Sequence, residues 1–277
     1  MKERRLVGAL LVAGLAASSG CATGPEGGSV PPPEIRSQQL HLNQDLTNFH
    51  LRLEGEVGSA LPATAERAKW EMVVEEKVVK SGEQSLGIPI PENGKGGFEI
   101  QASSRYVATA AELKAMSDRG GSLLAALRGT LFVRRGGTVH ELPFARSREV
   151  RTPRLPSVKL HDIDAGRYSD RQVNVRLGLG VVNPNPFPLA VSALDYRAQV
   201  AGKEVSQGTL TRADTIEPSS TGVFEVTFEV DEHSHGADVT KLIKSMEIPW
   251  SVAGDLRGEL YSIPYAIDGK MRLNVSK

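Results

Sequence analysis

The sequence predicts an all-β protein: two tandem antiparallel β-sandwiches of the immunoglobulin or fibronectin kind, each with one short helix. Three observations support this. Apolar and polar residues alternate over short stretches, as in Val173, Val175, Leu177 and Leu179 set between Asn174, Arg176 and Gly178, the period of a strand buried on one face. Turn formers are frequent, with 28 glycines and 16 prolines in 277 residues. The same landmarks also occur twice, in the same order.

Composition bounds the partners. The chain has 33 Lys plus Arg and 33 Asp plus Glu, for a formal net charge of zero. No basic field is present to neutralise a phosphate backbone, so no nucleic-acid partner is expected. A hydrophobic fraction of 40% with 24% charged residues is ordinary globular composition and supplies a core.

At the N-terminus, Lys2, Arg4 and Arg5 precede an uncharged apolar run, Leu6 to Ala17, and then Ser18, Ser19 and Gly20. This is the pattern of a cleaved signal peptide over residues 1–20. As a helix the run spans roughly 18 Å, short of the ~30 Å bilayer core. The stretch Leu15-Ala16-Ala17-Ser18-Ser19-Gly20-Cys21 resembles a bacterial lipobox, with Ser18 where leucine is usual. The resemblance implies a covalent diacylglycerol or acyl lipid on Cys21, the only cysteine, and no other cofactor. Cleavage removes Lys2, Arg4, Arg5 and Glu3, leaving 33 − 3 = 30 basic and 33 − 1 = 32 acidic residues, a net charge of −2. Attachment to a membrane would therefore come from the lipid rather than from charge. Ala22 stands where an inner-membrane retention signal would place Asp, so the expected address is the outer membrane, facing the periplasm.

Residues 21–37 lack hydrophobic periodicity and contain Pro31-Pro32-Pro33, which predicts a spacer. Two units follow, over residues 38–152 and 153–277. Leu51-Arg52-Leu53 matches Leu177-Gly178-Leu179, Gly82 matches Gly208, and Phe98-Glu99-Ile100 matches Phe224-Glu225-Val226, all at an offset of 126. Leu113 matches Leu242, and Leu127-Arg128-Gly129 matches Leu256-Arg257-Gly258, at 129. Pro143-Phe144 matches Pro264-Tyr265 at 121, implying a hairpin about eight residues longer in the first unit. Pro153 and Pro156 mark the boundary.

Strands are expected at Phe49 to Leu53, Phe98 to Ile100, Val173 to Leu179 and Phe224 to Phe228. Helices are expected over Ala108 to Met116, with an extension to Leu127 left open, and over Ala237 to Met246. In the latter, Val239, Leu242, Ile243 and Met246 follow the spacing of one helix face. That stripe either closes the core or lines an apolar groove. Gly94-Lys95-Gly96-Gly97 reads as a hairpin turn.

The run Asn183-Pro184-Asn185-Pro186-Phe187-Pro188-Leu189, then Leu194-Asp195-Tyr196, Gln207-Gly208 and Glu217-Pro218-Ser219-Ser220 resembles the water-stress and hypersensitive-response domain of the late-embryogenesis-abundant type 2 family. The match covers about Pro156 to Asn274. The first unit has Gly58-Ser59-Ala60-Leu61-Pro62 in place of the Asn-Pro element and is tied to the family only through the repeat. The family fold implied is a β-sandwich with a short helix. Independently of family, Pro184, Pro186 and Pro188 remove backbone donors and exclude a central strand, so the stretch turns the chain. Asn183 and Asn185 suit capping of neighbouring backbone groups. A ligand site at this loop is the alternative.

No catalytic signature or phosphate loop occurs, so no enzymatic activity is expected. Asp231-Glu232-His233-Ser234-His235 is the densest set of metal-ligand types. Only two of its residues are spaced for a common metal, which needs three or four ligands, and a helix cap explains the cluster better. The expected function is a non-enzymatic, lipid-anchored envelope protein of stress or desiccation protection. The alternatives are lipid binding or transfer, and an envelope scaffold or adhesion module. Expected partners are the membrane through the lipid, and lipids or envelope proteins.

Overall fold

The computed structural model of the chain describes residues 30–273 apart from Asp170, Ala213 and Met246. The signal peptide and Cys21 lie outside the described residues. From Pro32 onward the chain clusters as one compact unit.

Seven strands and a helix come first: β1 Glu34–Gln44, β2 Asn48–Ser59, β3 Ala63–Val74, β4 Lys77–Ile90, β5 Gly94–Arg105, α1 Ala110–Arg119, β6 Ser122–Arg135 and β7 Thr138–Arg151. The order then recurs: β8 Ser157–Ser169, β9 Gln172–Val182, β10 Ala193–Val200, β11 Lys203–Leu210, β12 Thr221–Val230, α2 Glu232–His235, α3 Val239–Ser245, β13 Glu247–Gly258 and β14 Tyr261–Arg272. All pairings are antiparallel. Sheets ordered β1-β2-β5 and β4-β3-β6-β7 form the first sandwich. Sheets ordered β8-β9-β12 and β11-β10-β13-β14 repeat that plan strand for strand. The fold is all-β, in tandem sandwiches.

Alternation places the core where the sequence expects it. Leu51, Leu53, Ile100, Leu127 and Leu131 meet in the first core, and Leu177, Leu179, Phe224, Val226 and Val252 in the second. Leu113 of α1 and Val107 are buried in the second core although they belong to the first set of elements, and Tyr106 and Met116 pack against it. The first helix thus cements the two sandwiches. Along the open side of the first sandwich, Arg148 Nη1 donates to Leu40 O at 3.1 Å, linking β7 to β1 across the gap between the sheets.

Several sequence expectations change. Strand β1 begins at Glu34, inside the expected tether, and Glu34 pairs with Gly58. The exposed edge at Glu34, Arg36 and Ser37 shows no hydrophobic alternation to betray a strand. Gly94 to Gly97 belong to β5 and pair with Ser59 to Glu56 of β2, while the turn lies at Glu92-Asn93, with Asn93 at φ 51°. It passes between sheets and is no hairpin. Helix α1 stops at Gly120, φ 61°, and Ser122 onward is strand, so the extension to Leu127 does not form. The second helical region starts five residues early, at Glu232.

Register also corrects the repeat. Trp70 pairs with Gly82 on one side and Gly129 on the other, and Gly129 pairs with Phe144. In the second sandwich Tyr196 pairs with Gly208, and Gly254 with Tyr265. An ideal Cβ on Gly129 would lie 2.0 Å from Lys69 O and 2.9 Å from Trp70 Cα; on Gly254, 1.9 Å from Asp195 O and 3.1 Å from Tyr196 Cα. Gly129 therefore corresponds to Gly254, not to Gly258. The offsets become 254 − 129 = 125 and 265 − 144 = 121, and the first hairpin is longer by four residues rather than eight. The shared Leu-Arg-Gly triplet thus does not mark equivalent positions. The aromatic lies over the glycine on its outer neighbour in both copies: a Gly82 Cβ would be 2.5 Å from Trp70 Cζ2, and a Gly208 Cβ 3.1 Å from the Tyr196 ring.

Candidate functional site

The Asn-Pro loop follows β9 and is spanned by hydrogen bonds that its prolines cannot make. Asn183 is fully buried and Asn185 is 1% exposed, so each side-chain group needs a partner. Asn183 N–H donates to Ser220 O at 2.8 Å. Its Nδ2 donates to Phe187 O at 2.8 Å and lies 3.1 Å from both Ile216 O and Glu217 O. Its Oδ1 accepts from Asn185 N–H at 3.0 Å and from Asn185 Nδ2 at 3.1 Å. One side chain thus joins the loop to the segment before β12. Phe187 and Leu189 then insert into the interior, and Leu189 forms a bridge with Ile216.

Asn185 reaches the other way. Its Oδ1 accepts from Arg154 N–H and its Nδ2 donates to Arg154 O, both at 2.8 Å. The carboxamide imitates a strand partner for the connector between β7 and β8. From the opposite side, Thr152 N–H and Oγ1 donate to Gly121 O at 3.1 and 2.9 Å, Leu155 N–H donates to Ser117 Oγ at 2.9 Å, and Gln44 Nε2 donates to Arg151 O at 3.2 Å. The connector is held by both sandwiches and by α1. A cavity of about 420 Å³ opens here, with Arg151, Arg154, Glu149, Ser122, Pro184 and Asn185 among its lining. Sequence reasoning singled out the Asn-Pro element; Arg154 carried no signal, because its partner is 31 residues away.

The helix stripe is placed differently. Val239 (0% exposed) and Ile243 (1%) lie in the second core, so these two close the sandwich and do not line an open groove. Leu242 is half-buried, and Met246 lies outside the described residues. The acidic-histidine cluster caps a helix: Asp231 Oδ1 accepts from Ser234 N–H at 2.9 Å, and Ser234 Oγ accepts from Asp231 N–H at 3.0 Å, a reciprocal capping box. His235 turns inward, 2% exposed. Its Nε2 donates to Val200 O at 2.8 Å and its Nδ1 lies 2.9 Å from Ser234 Oγ. Among the described residues no three His, Cys, Asp or Glu converge, and no helix is long and apolar enough to cross a membrane.

Among the described residues, three tyrosines whose hydroxyls donate to backbone carbonyls have their pKa raised well above the usual phenol value. Burial pushes Tyr261 up to about 12 as it donates to Ala190 O at 3.1 Å. Burial, with help from Asp195, also raises Tyr265, which donates to Asp195 O at 2.8 Å. Burial and Asp45 raise Tyr106, which donates to Asp45 O. These groups staple strands and turns.

Comparison with known proteins falls on the half that carries the Asn-Pro loop. Residues 179–277 match the late embryogenesis abundant protein family. A soybean (Glycine max) protein described as a desiccation protectant Lea14 homolog is 27% identical over 97 residues, 35% of this chain and 61% of that relative; the chain thus spans less than two thirds of its length. Among solved structures, a crystal structure of an Archaeoglobus fulgidus protein is similar at 17% identity and a TM-score of 0.29, over 43% of this chain and all of that one. A solution structure from Arabidopsis thaliana is similar at 14% identity and a TM-score of 0.35, over 43% of this chain and 83% of that one. Residues 179–277, with the loop that Asn183 and Asn185 knit, constitute a late-embryogenesis-abundant type 2 domain.

Proposed function

We propose that the protein is a non-enzymatic stress protectant, acting against desiccation and held at the cell envelope by a lipid on Cys21. The observation that carries the reading is the match of residues 179–277 to a family in which the soybean relative is described as a desiccation protectant. The folded state sets the mode of action. A chain built of closed sandwiches cannot protect as a hydrated, disordered coil does, so it acts through surface contact with a client or membrane. Its outer faces carry paired charges such as Arg128 with Glu71 at 2.8 Å and Arg257 with Asp195 at 2.7 Å, and remain polar without a large single-sign field.

The test dries a labile enzyme with graded amounts of the protein and, in parallel, vesicles loaded with a fluorescent dye. Retained enzyme activity or retained dye beyond an equal mass of albumin supports the reading; no gain at any ratio removes it. Anchoring is tested by metabolic labelling with radioactive palmitate in a bacterial host. Wild type should carry label and partition into detergent, Cys21→Ser should do neither, and fractionation of the labelled protein should place it in the outer membrane. The lipid-binding alternative predicts a stoichiometric lipid in native mass spectra of the purified protein.

A further inference from the structure

Many arginines on the outer faces of this protein are matched to carboxylates. Arg52, Arg67, Arg128, Arg134, Arg197 and Arg257 each have one within 3.2 Å. Arg151 and Arg154 have none among the described residues, which is also true of Arg105, Arg119, Arg146, Arg148 and Arg212, but Arg151 and Arg154 come together in the lining of one cavity, at the connector between the two sandwiches.

Arg154 is held in place. Asn185 clamps its backbone in both directions at 2.8 Å. Its guanidinium lies over Gly120, where an ideal Cβ would come within 2.9 Å of Nη2. Gly120 has φ 61° and Gly121 φ 98°, so this turn both needs glycine and leaves the space the guanidinium occupies. Arg151 enters from the last residue of β7, its carbonyl fixed by Gln44 at 3.2 Å. The Ser122 hydroxyl on the same wall is not engaged by another described residue. Glu149 is the one acid among the lining residues, against two arginines, so the lining carries a net positive formal charge.

We propose that this cavity binds a phosphoryl group, held by Arg151 and Arg154 with the Ser122 hydroxyl as a third donor. Guanidinium forks match phosphate oxygens two at a time, and two arginines against Glu149 leave a net attraction for a singly charged phosphodiester and a stronger one for a doubly charged monoester. A volume of about 420 Å³ holds more than a bare ion and suits a phosphate carrying a small polar group such as glycerol or a sugar. Because the lining residues come from β6, β7, the connector and the Asn-Pro loop, an occupant would bridge the two sandwiches. The same chemistry is offered by a phospholipid headgroup and by a soluble phosphorylated metabolite. The proposal goes beyond stress protection and does not depend on it.

The test titrates the full chain with inorganic phosphate and with glycerol phosphate by calorimetry. In parallel it measures sedimentation with vesicles of phosphatidylglycerol and phosphatidylcholine against vesicles of phosphatidylcholine alone. Binding should weaken at least about tenfold in the double variant Arg151→Gln/Arg154→Gln and tighten in Glu149→Gln, whose direction no loss of folding can imitate. Binding of the soluble phosphates without a preference for anionic vesicles identifies a free metabolite as the source. A vesicle preference abolished by the double variant, without soluble binding, identifies the headgroup. Absence of both, or wild-type affinity in the double variant and no change in Glu149→Gln, overturns the proposal.

Discussion

The Asn185 carboxamide and the Arg154 peptide group exchange two hydrogen bonds of 2.8 Å, donor to acceptor in each direction. This is how a strand pairs with its neighbour, performed here by a side chain because Pro184 and Pro186 on either side have no N–H to offer. It links the connector to the Asn-Pro loop and makes a buried Asn part of the junction between sandwiches. Asn185→Ala strands the Arg154 N–H and O, leaves Asn183 Oδ1 with the backbone N–H of residue 185 alone, and should cost about 1–3 kcal/mol in urea unfolding at neutral pH. Asn185→Asp should be no better, since a carboxylate cannot donate to Arg154 O. A loss below ~0.5 kcal/mol, the usual size of a surface change, would mean that water replaces the clamp.

The glycines opposite the aromatic row are a second point where chemistry and register meet. A methyl on Gly129 or Gly254 would sit about 2 Å from a neighbouring strand's carbonyl oxygen, and backbone in a paired sheet cannot step aside. Gly129→Ala and Gly254→Ala should each destabilise by about 1–3 kcal/mol, the scale of overpacking. Gly137→Ala, with nothing within 4 Å of its would-be Cβ, is the control and should stay within ~0.5 kcal/mol. Thermal unfolding of the three variants decides the matter, and equal behaviour of all three would show the register to be wrong.

Leu113 tests the cement between the sandwiches. It belongs to α1 of the first set of elements, yet it is fully buried in the second core. Leu113→Ala should cost about 2–5 kcal/mol and should raise hydrogen exchange in β9 and β12 as well as in α1. Faster exchange limited to α1 would mean that the helix packs without supporting the second core.

What could be read from the sequence was whatever period and repetition encode. The alternation in β9 and β12 announced strands, and the recurrence of landmarks announced two copies, since burial on one face imposes a period of two wherever it occurs. Edge strands escaped, because Glu34 to Ser37 of β1 and most of β4 face water and have no apolar stripe to show. Gly129 was matched to the wrong partner because a triplet carries less information than a steric requirement visible only in three dimensions. The Asn-Pro loop could be read as a turn, but not as a clamp, for the groups it clamps at Arg154 and Ile216 are about 30 residues distant. The cluster around His235 could be read as a helix cap, but the burial of His235 could not, since its partner Val200 O lies on a strand that sequence adjacency does not bring near.

The cap at Asp231 gives a prediction in pH. The hydrogen bond from Ser234 N–H holds its carboxyl below the usual aspartate range, outweighing the opposing effect of burial, with His233 adding a smaller pull. A carboxyl depressed in the folded state stabilises fully above its unfolded value of about 3.9. That contribution is lost as the pH falls from there through the lower folded value. Asp231→Asn keeps an acceptor for Ser234 but carries no charge to titrate, whereas Asp231→Ala removes the cap and should cost about 1 kcal/mol at pH 7. Unfolding free energies of wild type and Asp231→Asn should therefore differ at pH 7 and converge toward pH 3. A gap that stays constant over that interval would assign the stabilisation to the neutral hydrogen bond rather than to the charge at the helix start.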